Sequence, residues 1–358
     1  MELSEGAACP SDGLPEGLFV GIGNPLLDIS ATVGDDMLTK YGLNPNDAIM
    51  AEEKHMPLYK ELTEQYKARF IAGGSVQNTL RMVQWIVKKP KVCTYFGCVG
   101  DDDFAKILRT KAEDNGVHVM YQVNKEVPTG TCAVLLTSGG TRRSLCANLG
   151  AAQKFTVDHF DNPECKQIID NAKMFYTSGF FIAVSQEAVM KLAKQALAKN
   201  LIFALNISAP FVVDNFEPQL RELLPYVDFL FGNIHETTVF AKAFNIKTDN
   251  THEMARNIAE LPKLNKLRSR VVVVTQSEDP VIVAEKGEIL EVPVTPLKKE
   301  DIVDTNGAGD AFTGGFLSQL LLNKSLKQCV QCGMYSARCL IQISGFSLSG
   351  ESNFQPEL

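Results

Sequence analysis

Short apolar runs alternate with longer stretches of helical spacing along most of these 358 residues, and few architectures can absorb that alternation. Strands are expected at 19–22, 92–96, 174–178, 202–206, 227–231 and 271–275. Helices are expected at 75–88, 103–115, 186–199, after Asn233 and at 251–261, and two longer ones at 308–322 and 326–343 close the chain. In the first of these, Val76, Leu80, Val83 and Val87 share one face. Helices interposed between apolar strands imply an α/β fold with a mainly parallel sheet covered on both faces. Residues 28–51 and 122–148 break the rhythm with short β-like pieces, turn residues and little helix. They are either surface hairpins of one large domain or parts of a smaller one.

Hydrophobic residues make up 45% and charged residues 22%, an ordinary soluble globular balance. The net charge is −7 and the basic residues are dispersed, so nothing suggests a nucleic-acid surface. A small anion would have to be held by a local site. Residues 1–17 lack a signal peptide's basic start and apolar run and are expected to form a disordered tail. No apolar run approaches the length needed to span a bilayer. Nine scattered cysteines suit reduced thiols and a cytoplasmic protein, which leaves a nuclear presence open. Cys329-Val330-Gln331-Cys332 has CxxC spacing but no second pair, and it lies in a helical stretch where buried structural thiols are expected.

The chemistry concentrates near the C-terminus, in Asp304-Thr305-Asn306-Gly307-Ala308-Gly309-Asp310. Small residues let backbone N–H groups converge, and the helix that follows adds its positive end, which together make an anion site. Asp310 falls in that helix's first turn. A carboxylate beside a phosphate can accept the proton of an attacking hydroxyl. A glycine-containing turn capped by an Asp would account for a shorter pattern, but hardly for the whole string.

That string resembles the C-terminal signature of the ribokinase-like (PfkB) family of carbohydrate and nucleoside kinases. Four further segments are similar to the family, in order, in the form its adenosine kinases take: Gly23-Asn24-Pro25-Leu26-Leu27-Asp28-Ile29-Ser30, Ala72-Gly73-Gly74-Ser75-Val76-Gln77-Asn78, Leu205-Asn206-Ile207-Ser208-Ala209-Pro210-Phe211 and Phe231-Gly232-Asn233-Ile234-His235-Glu236. The similarity runs from about Phe19 to about Phe346. It implies the ribokinase-like fold: a large α/β domain (18–27, 52–121 and 149–346) with the nucleotide site, a small β lid (28–51 and 122–148) over the nucleoside, and tails at 1–17 and 347–358. The implied activity is ATP-dependent phosphorylation of the adenosine 5′-hydroxyl to AMP, a step of purine salvage. Adenosine and ATP would be the partners of a monomer, with no nucleic acid or membrane. Mg²⁺ would accompany the nucleotide, and relatives commonly hold a monovalent cation, K⁺, near the anion site.

The same resemblance distributes roles. Asp28, with Asn24 beside it, would accept the ribose hydroxyls; Gly73 and Gly74 would let the backbone approach the sugar, and Ser75, Asn78 and Asn306 would complete that subsite. Phe180 would stack on the base with Phe211 nearby, and Met50, Cys132, Leu145 and Ala147 would line the slot. Ala48 stands where human-type adenosine kinases carry Gln. Asn233 and Glu236 match an NxxE motif in which Glu236 orders magnesium-bound water, although the pair is also good helix-capping chemistry. Thr275 would touch the donor, followed by Ser277 where the family usually has Gly. Gly307, Ala308 and Gly309 would form the anion hole, Asp310 would be the base, and Arg143 would swing onto the phosphoryl group, with Arg142 competing. Two other readings stay open: a same-fold kinase for another sugar or nucleoside such as ribose, fructose or inosine, and a catalytically silent nucleoside sensor.

Overall fold

The computed structural model describes residues 13–140 and 142–355. Its strands are β1 (Phe19–Ile22), β2 (Leu26–Thr32), β3 (Ala48–Met50), β4 (Arg69–Gly73), β5 (Cys93–Gly100), β6 (His118–Asn124), β7 (Thr131–Thr137), β8 (Arg142–Asn148), β9 (Met174–Ser178), β10 (Ile202–Asn206), β11 (Phe229–Asn233), β12 (Val271–Gln276), β13 (Asp279–Glu285) and β14 (Glu288–Val292). The helices are α1 (Asp35–Tyr41), α2 (Met56–Gln65), α3 (Ser75–Val87), α4 (Asp103–Asp114), α5 (Pro163–Asn171), α6 (Gly179–Ile182), α7 (Gln186–Ala198), α8 (Pro210–Leu223), α9 (Ile234–Ala243), α10 (Thr251–Glu260), α11 (Ala308–Leu321) and α12 (Leu326–Ile341).

Nine strands form a sheet in the order β14-β13-β12-β11-β10-β9-β1-β5-β6, and five form a second in the order β3-β8-β7-β2-β4. From β12 to β6 the large sheet is parallel, and β13 and β14 add an antiparallel edge. The parallel strands are apolar on both faces because both faces are covered. Val20, Phe175, Leu205 and Val272 point into one core with α7, α8 and α10. Phe19, Met174, Ala204 and Val273 point into the other, against α3 and α11. That period of two separates the helices into two layers.

Gly21 decides how closely α3 lies on the sheet. It pairs with Tyr95 on one side and Tyr176 on the other. A Cβ there would come 2.8 Å from both Val76 and Leu80. The helix therefore rests directly on the strand backbone. The small sheet is two-sided as well: Ile29, Ala133 and Leu135 pack on Leu38, Leu58 and Leu62 of α1 and α2. Its opposite face presents Cys132, Val134, Leu145 and Ala147.

Several local expectations shift. Residues 28–51 contain a helix, α1, closed by Gly42 in a left-handed conformation. Strand β4, expected within the large unit, pairs with β2, whereas β6 runs to Asn124 in the large sheet. The terminal tails are docked where they are described. Leu14 is buried in the α3-side core, and Gly17 donates to the Lys91 carbonyl at 2.8 Å; the rest of the expected N-terminal tail, residues 1–12, lies outside the described residues. At the other end Phe354 packs on Tyr335, while Trp85, stacked on the same tyrosine, donates through its indole N–H to the Gly350 carbonyl at 2.9 Å. A single aromatic, Phe354, in an otherwise mostly polar tail gives no periodic signal. Residues 356–358 of the expected C-terminal tail are also outside the described residues. Cys329 and Cys332 are buried in α12, as their helical context suggests.

Filling the space above Gly21 has a testable cost. Gly21→Ala overpacks the strand–helix contact and should lower stability by about 1–3 kcal/mol. Urea unfolding with an unchanged m-value would register it, and an unmoved midpoint would show that α3 does not press on this strand.

Candidate active site

The start of α11 is built for an open backbone. Gly307 caps it at φ 78°, and a Cβ there would also come 2.9 Å from the Phe346 ring. At Gly309 a Cβ would meet nothing within 4 Å, so the space above that turn is free. The loop before it is clamped by Asp304, whose two carboxylate oxygens accept from the Asn306 N–H at 2.8 Å and the Gly345 N–H at 2.9 Å. A helix leaves its first N–H groups without intrahelical partners. Here Asn306, Gly307, Ala308 and Gly309 present that turn to a cavity of about 670 Å³.

Asp310 sits in the first turn of α11 and is held from a second helix start. The Ser75 hydroxyl donates to Oδ1 at 2.7 Å and the Asn78 amide to Oδ2 at 3.2 Å. Gly74, at φ 93°, makes the approach possible, because a Cβ would collide with the Asn24 carbonyl. Burial raises the Asp310 carboxyl to about 6, against the lowering effect of Ser75, Asn78 and the nearby Arg143. At neutral pH it is mostly ionised and has a basic lone pair.

Asp28 faces the same cavity from β2. The Asn306 amide donates to it at 3.4 Å. Burial, then the charges of Asp310 and Asp304, push it up to about 8. Gly73 does not line the cavity: a Cβ on it would strike the Asp28 carboxylate. Its smallness therefore serves the acid's placement, and the close backbone approach to the cavity falls to Gly74.

At the far end the Phe180 and Phe211 rings lie 5.9 Å apart at 31°. The Asn24 amide donates to the Phe180 carbonyl at 3.1 Å, and its own oxygen is buried with no partner. Such an orphan beside a cavity is a waiting acceptor. Cys132, Leu145, Ala147, Ala48 and Met50 close this end from the small sheet.

Opposite α11, the adjacent ends of β11 and β12 pair Asn233 with Thr275. Glu236 accepts from the Asn233 backbone at 2.9 Å and from its side chain at 2.8 Å, a capping box in which burial raises the acid. Ser277 turns the chain at φ 59°, the left-handed conformation that a Gly would adopt freely. Arg143 lines the cavity whereas Arg142 is exposed, which separates the two competing arginines. Among the described residues no three His, Cys, Asp or Glu side chains cluster as a metal cage. Glu236 alone at this end of the cavity, apart from Asp28 and Asp310, suits a cation carried on phosphates and reached through water. The cavity also takes in Asn206, Ser208, Gln153 and Thr313, to which the sequence alone assigns no role. The first two lie in a segment that resembles the family, but a polar residue at a strand end has no signal of its own.

Comparison with known proteins agrees with this geometry. The profile of the pfkB family carbohydrate kinases matches residues 35–352. The chain belongs to that family. Among curated relatives, adenosine kinase 2 of Arabidopsis thaliana is 42% identical over 95% of this chain and 98% of its own length. The adenosine kinase of Dictyostelium discoideum is 41% identical over 90% and 94%. Among solved structures, Anopheles gambiae adenosine kinase in complex with P1,P4-di(adenosine-5) tetraphosphate superposes with a TM-score of 0.93 at 50% identity, covering 95% of this chain and all of that one (100%). Schistosoma mansoni adenosine kinase with 2-fluoroadenosine gives 0.90 at 35% identity over 94% and 98%. The PfkB resemblance and the ribokinase-like fold read from the sequence are thus borne out.

The acidity of Asp28 has a sign that can be checked. Its native pKa of about 8 lies above the ordinary value of 3.8, so the native state holds the proton longer than the unfolded chain. Its contribution to stability is full below the ordinary value and is lost as pH rises towards 8. Asp28→Asn should therefore melt above the parent at pH 8, with the gap closing towards pH 4. Calorimetry showing a constant gap would contradict the assignment.

Proposed function

We propose that this chain transfers the γ-phosphoryl group of ATP to the 5′-hydroxyl of adenosine, giving AMP and ADP. The observation that carries the reading is the arrangement along one cavity: an aromatic pair at one end, a raised carboxyl in the middle and Asp310 at the mouth of the α11 backbone turn. Relatives named adenosine kinases over nearly the full length support the same substrate.

The transfer is direct and in line, with no covalent intermediate. Phe180 and Phe211 hold the base, where apolar contact and ring stacking replace water. Asp28 accepts the two ribose hydroxyls. Two donors favour the ionised form of a carboxyl, so filling the site drives the proton off Asp28. The 5′-hydroxyl lies against Asp310, which takes its proton as the new O–P bond forms. The backbone N–H groups of the Gly307-Ala308-Gly309 turn receive the γ-phosphoryl oxygens, the Asn306 N–H being held by Asp304, and Arg143 offsets charge that spreads over them. Thr275 and Asn233 border the donor nucleotide. Glu236, with Asn233 beside it, would hold the water shell of a magnesium ion carried by ATP, and such an ion would supply positive charge to the phosphates. Potassium near the α11 loop belongs to the same reading by family resemblance.

The small sheet acts as a lid over the nucleoside, keeping water from the donor. No helix among the described residues is long and apolar enough to cross a membrane. Eight described cysteines are unpaired, which supports a reducing, cytoplasmic setting. We also place the working unit as a monomer.

Asp310→Asn should reduce kcat by about 10²–10⁴-fold while adenosine still binds. A coupled ADP-release assay and adenosine titration check both halves, and equal loss of binding and turnover would remove Asp310 from its role. In the parent, kcat/KM should fall below pH 6, following the carboxyl raised to about 6. The same assay run with inosine, ribose and fructose separates adenosine from the substrates of same-fold kinases.

A further inference from the structure

We propose that Ser208 is a positioning residue for the base slot: its hydroxyl ties the turn that carries Phe180 to the loop that leads into Phe211. The proposal rests on the nucleoside reading of the cavity and adds to it a determinant of how the slot is held.

The two rings come from separate turns. Phe180 is the second residue of α6, a helix of only four residues. A single turn of helix does not hold itself in place. Phe211 is the second residue of α8, after the loop that leaves β10. Between them Ser208 adopts φ 75°, a left-handed conformation that a side chain with a Cβ takes only at a cost. What that conformation achieves is a pair of hydrogen bonds. The hydroxyl donates to the Asn206 carbonyl at 3.1 Å and accepts from the Gly179 N–H at 3.1 Å. Gly179 immediately precedes Phe180. With its proton given to Asn206 and a lone pair taken by Gly179, the hydroxyl fixes the turn that carries the ring.

Two further contacts make the tether specific. Gly179 lies so close to the loop that a Cβ on it would collide with the Ile207 carbonyl. The Asn206 side chain accepts from the Ser208 N–H at 3.0 Å and donates to the Thr313 hydroxyl at 3.3 Å. Thr313 lies one turn beyond Asp310 on α11. The brace that spaces the rings is therefore continuous with the helix that carries the acid.

A rival account gives Ser208 no task except reversing the chain. Glycine would then serve as well, since it takes positive φ without penalty. Ser208→Gly separates the two, because it keeps the left-handed backbone conformation while removing the hydroxymethyl group and with it both hydrogen bonds. Steady-state kinetics should show its KM for adenosine raised about five- to tenfold, the size of one lost hydrogen bond. Its KM for ATP should stay within about twofold of the parent. Calorimetric titration of adenosine should give a weakening of Kd that matches. Gly179→Ala, which forces the turns apart, should move adenosine binding in the same direction and further; should it fail to fold, the glycine variant decides alone. An unchanged adenosine KM in Ser208→Gly, or a loss shared equally by adenosine and ATP, would overturn the tether. A parent protein inactive on adenosine would overturn the nucleoside reading with it, whereas an active parent with a silent glycine variant sinks the tether only.

Discussion

The hydrogen bonds from Ser75 and Asn78 to Asp310 join two helix starts at one carboxylate, and the rest of the site is arranged around that junction. Helix α3 reaches it because Gly21 lets the helix lie on the sheet and Gly74 lets its first turn pass the Asn24 carbonyl. Helix α11 reaches it because Asp304 fixes the preceding loop from both sides. The sheet supplies the platform. The convergence of strand ends β9 to β12 with these two helix starts is where a parallel sheet leaves a crevice.

Two aspartates in one cavity are made unequal by their neighbours. Asp310 has two good donors and settles at about 6; Asp28 has one long contact from Asn306 and rises to about 8. Environments that push a pair of like groups apart let one work as a base while the other answers to the ligand. The arrangement is paid for in stability, since a charged carboxylate deep in the fold is favoured only when something binds it. The unpartnered oxygen of Asn24 shows the same condition at smaller scale. This cavity is a preorganised acceptor set, unsatisfied until it is filled.

The parallel strands and most helices of the large layer are legible in the sequence because their patterns are local. Met174–Ser178 and Ile202–Asn206 form the strands expected there. The aspartate and glycine loop is legible for a different reason: a run of small residues between two carboxylates makes a poor core and a poor strand, but a good anion turn. What the sequence hides depends on distant partners. The strand β4 has no alternation of its own and is specified by pairing with β2. The antiparallel edge β13–β14 and the helices α2, α5 and α8 are not anticipated, since each is defined by what it packs against. Gly73 reads as a sugar contact because the motif does not reveal that Asp28 folds back over it. The choice between Arg142 and Arg143 turns on strand parity, which the sequence leaves ambiguous near a hairpin.

The single tryptophan of the chain sits on α3, at the end away from Ser75, and is stacked on Tyr335 with its indole N–H bound to Gly350. It is not among the side chains that line the cavity. Its emission is thus an intrinsic gauge of whether the last segment of the chain stays docked. A fluorescence signal on adding nucleoside would report strain relayed down one helix, from its catalytic end to its anchored end.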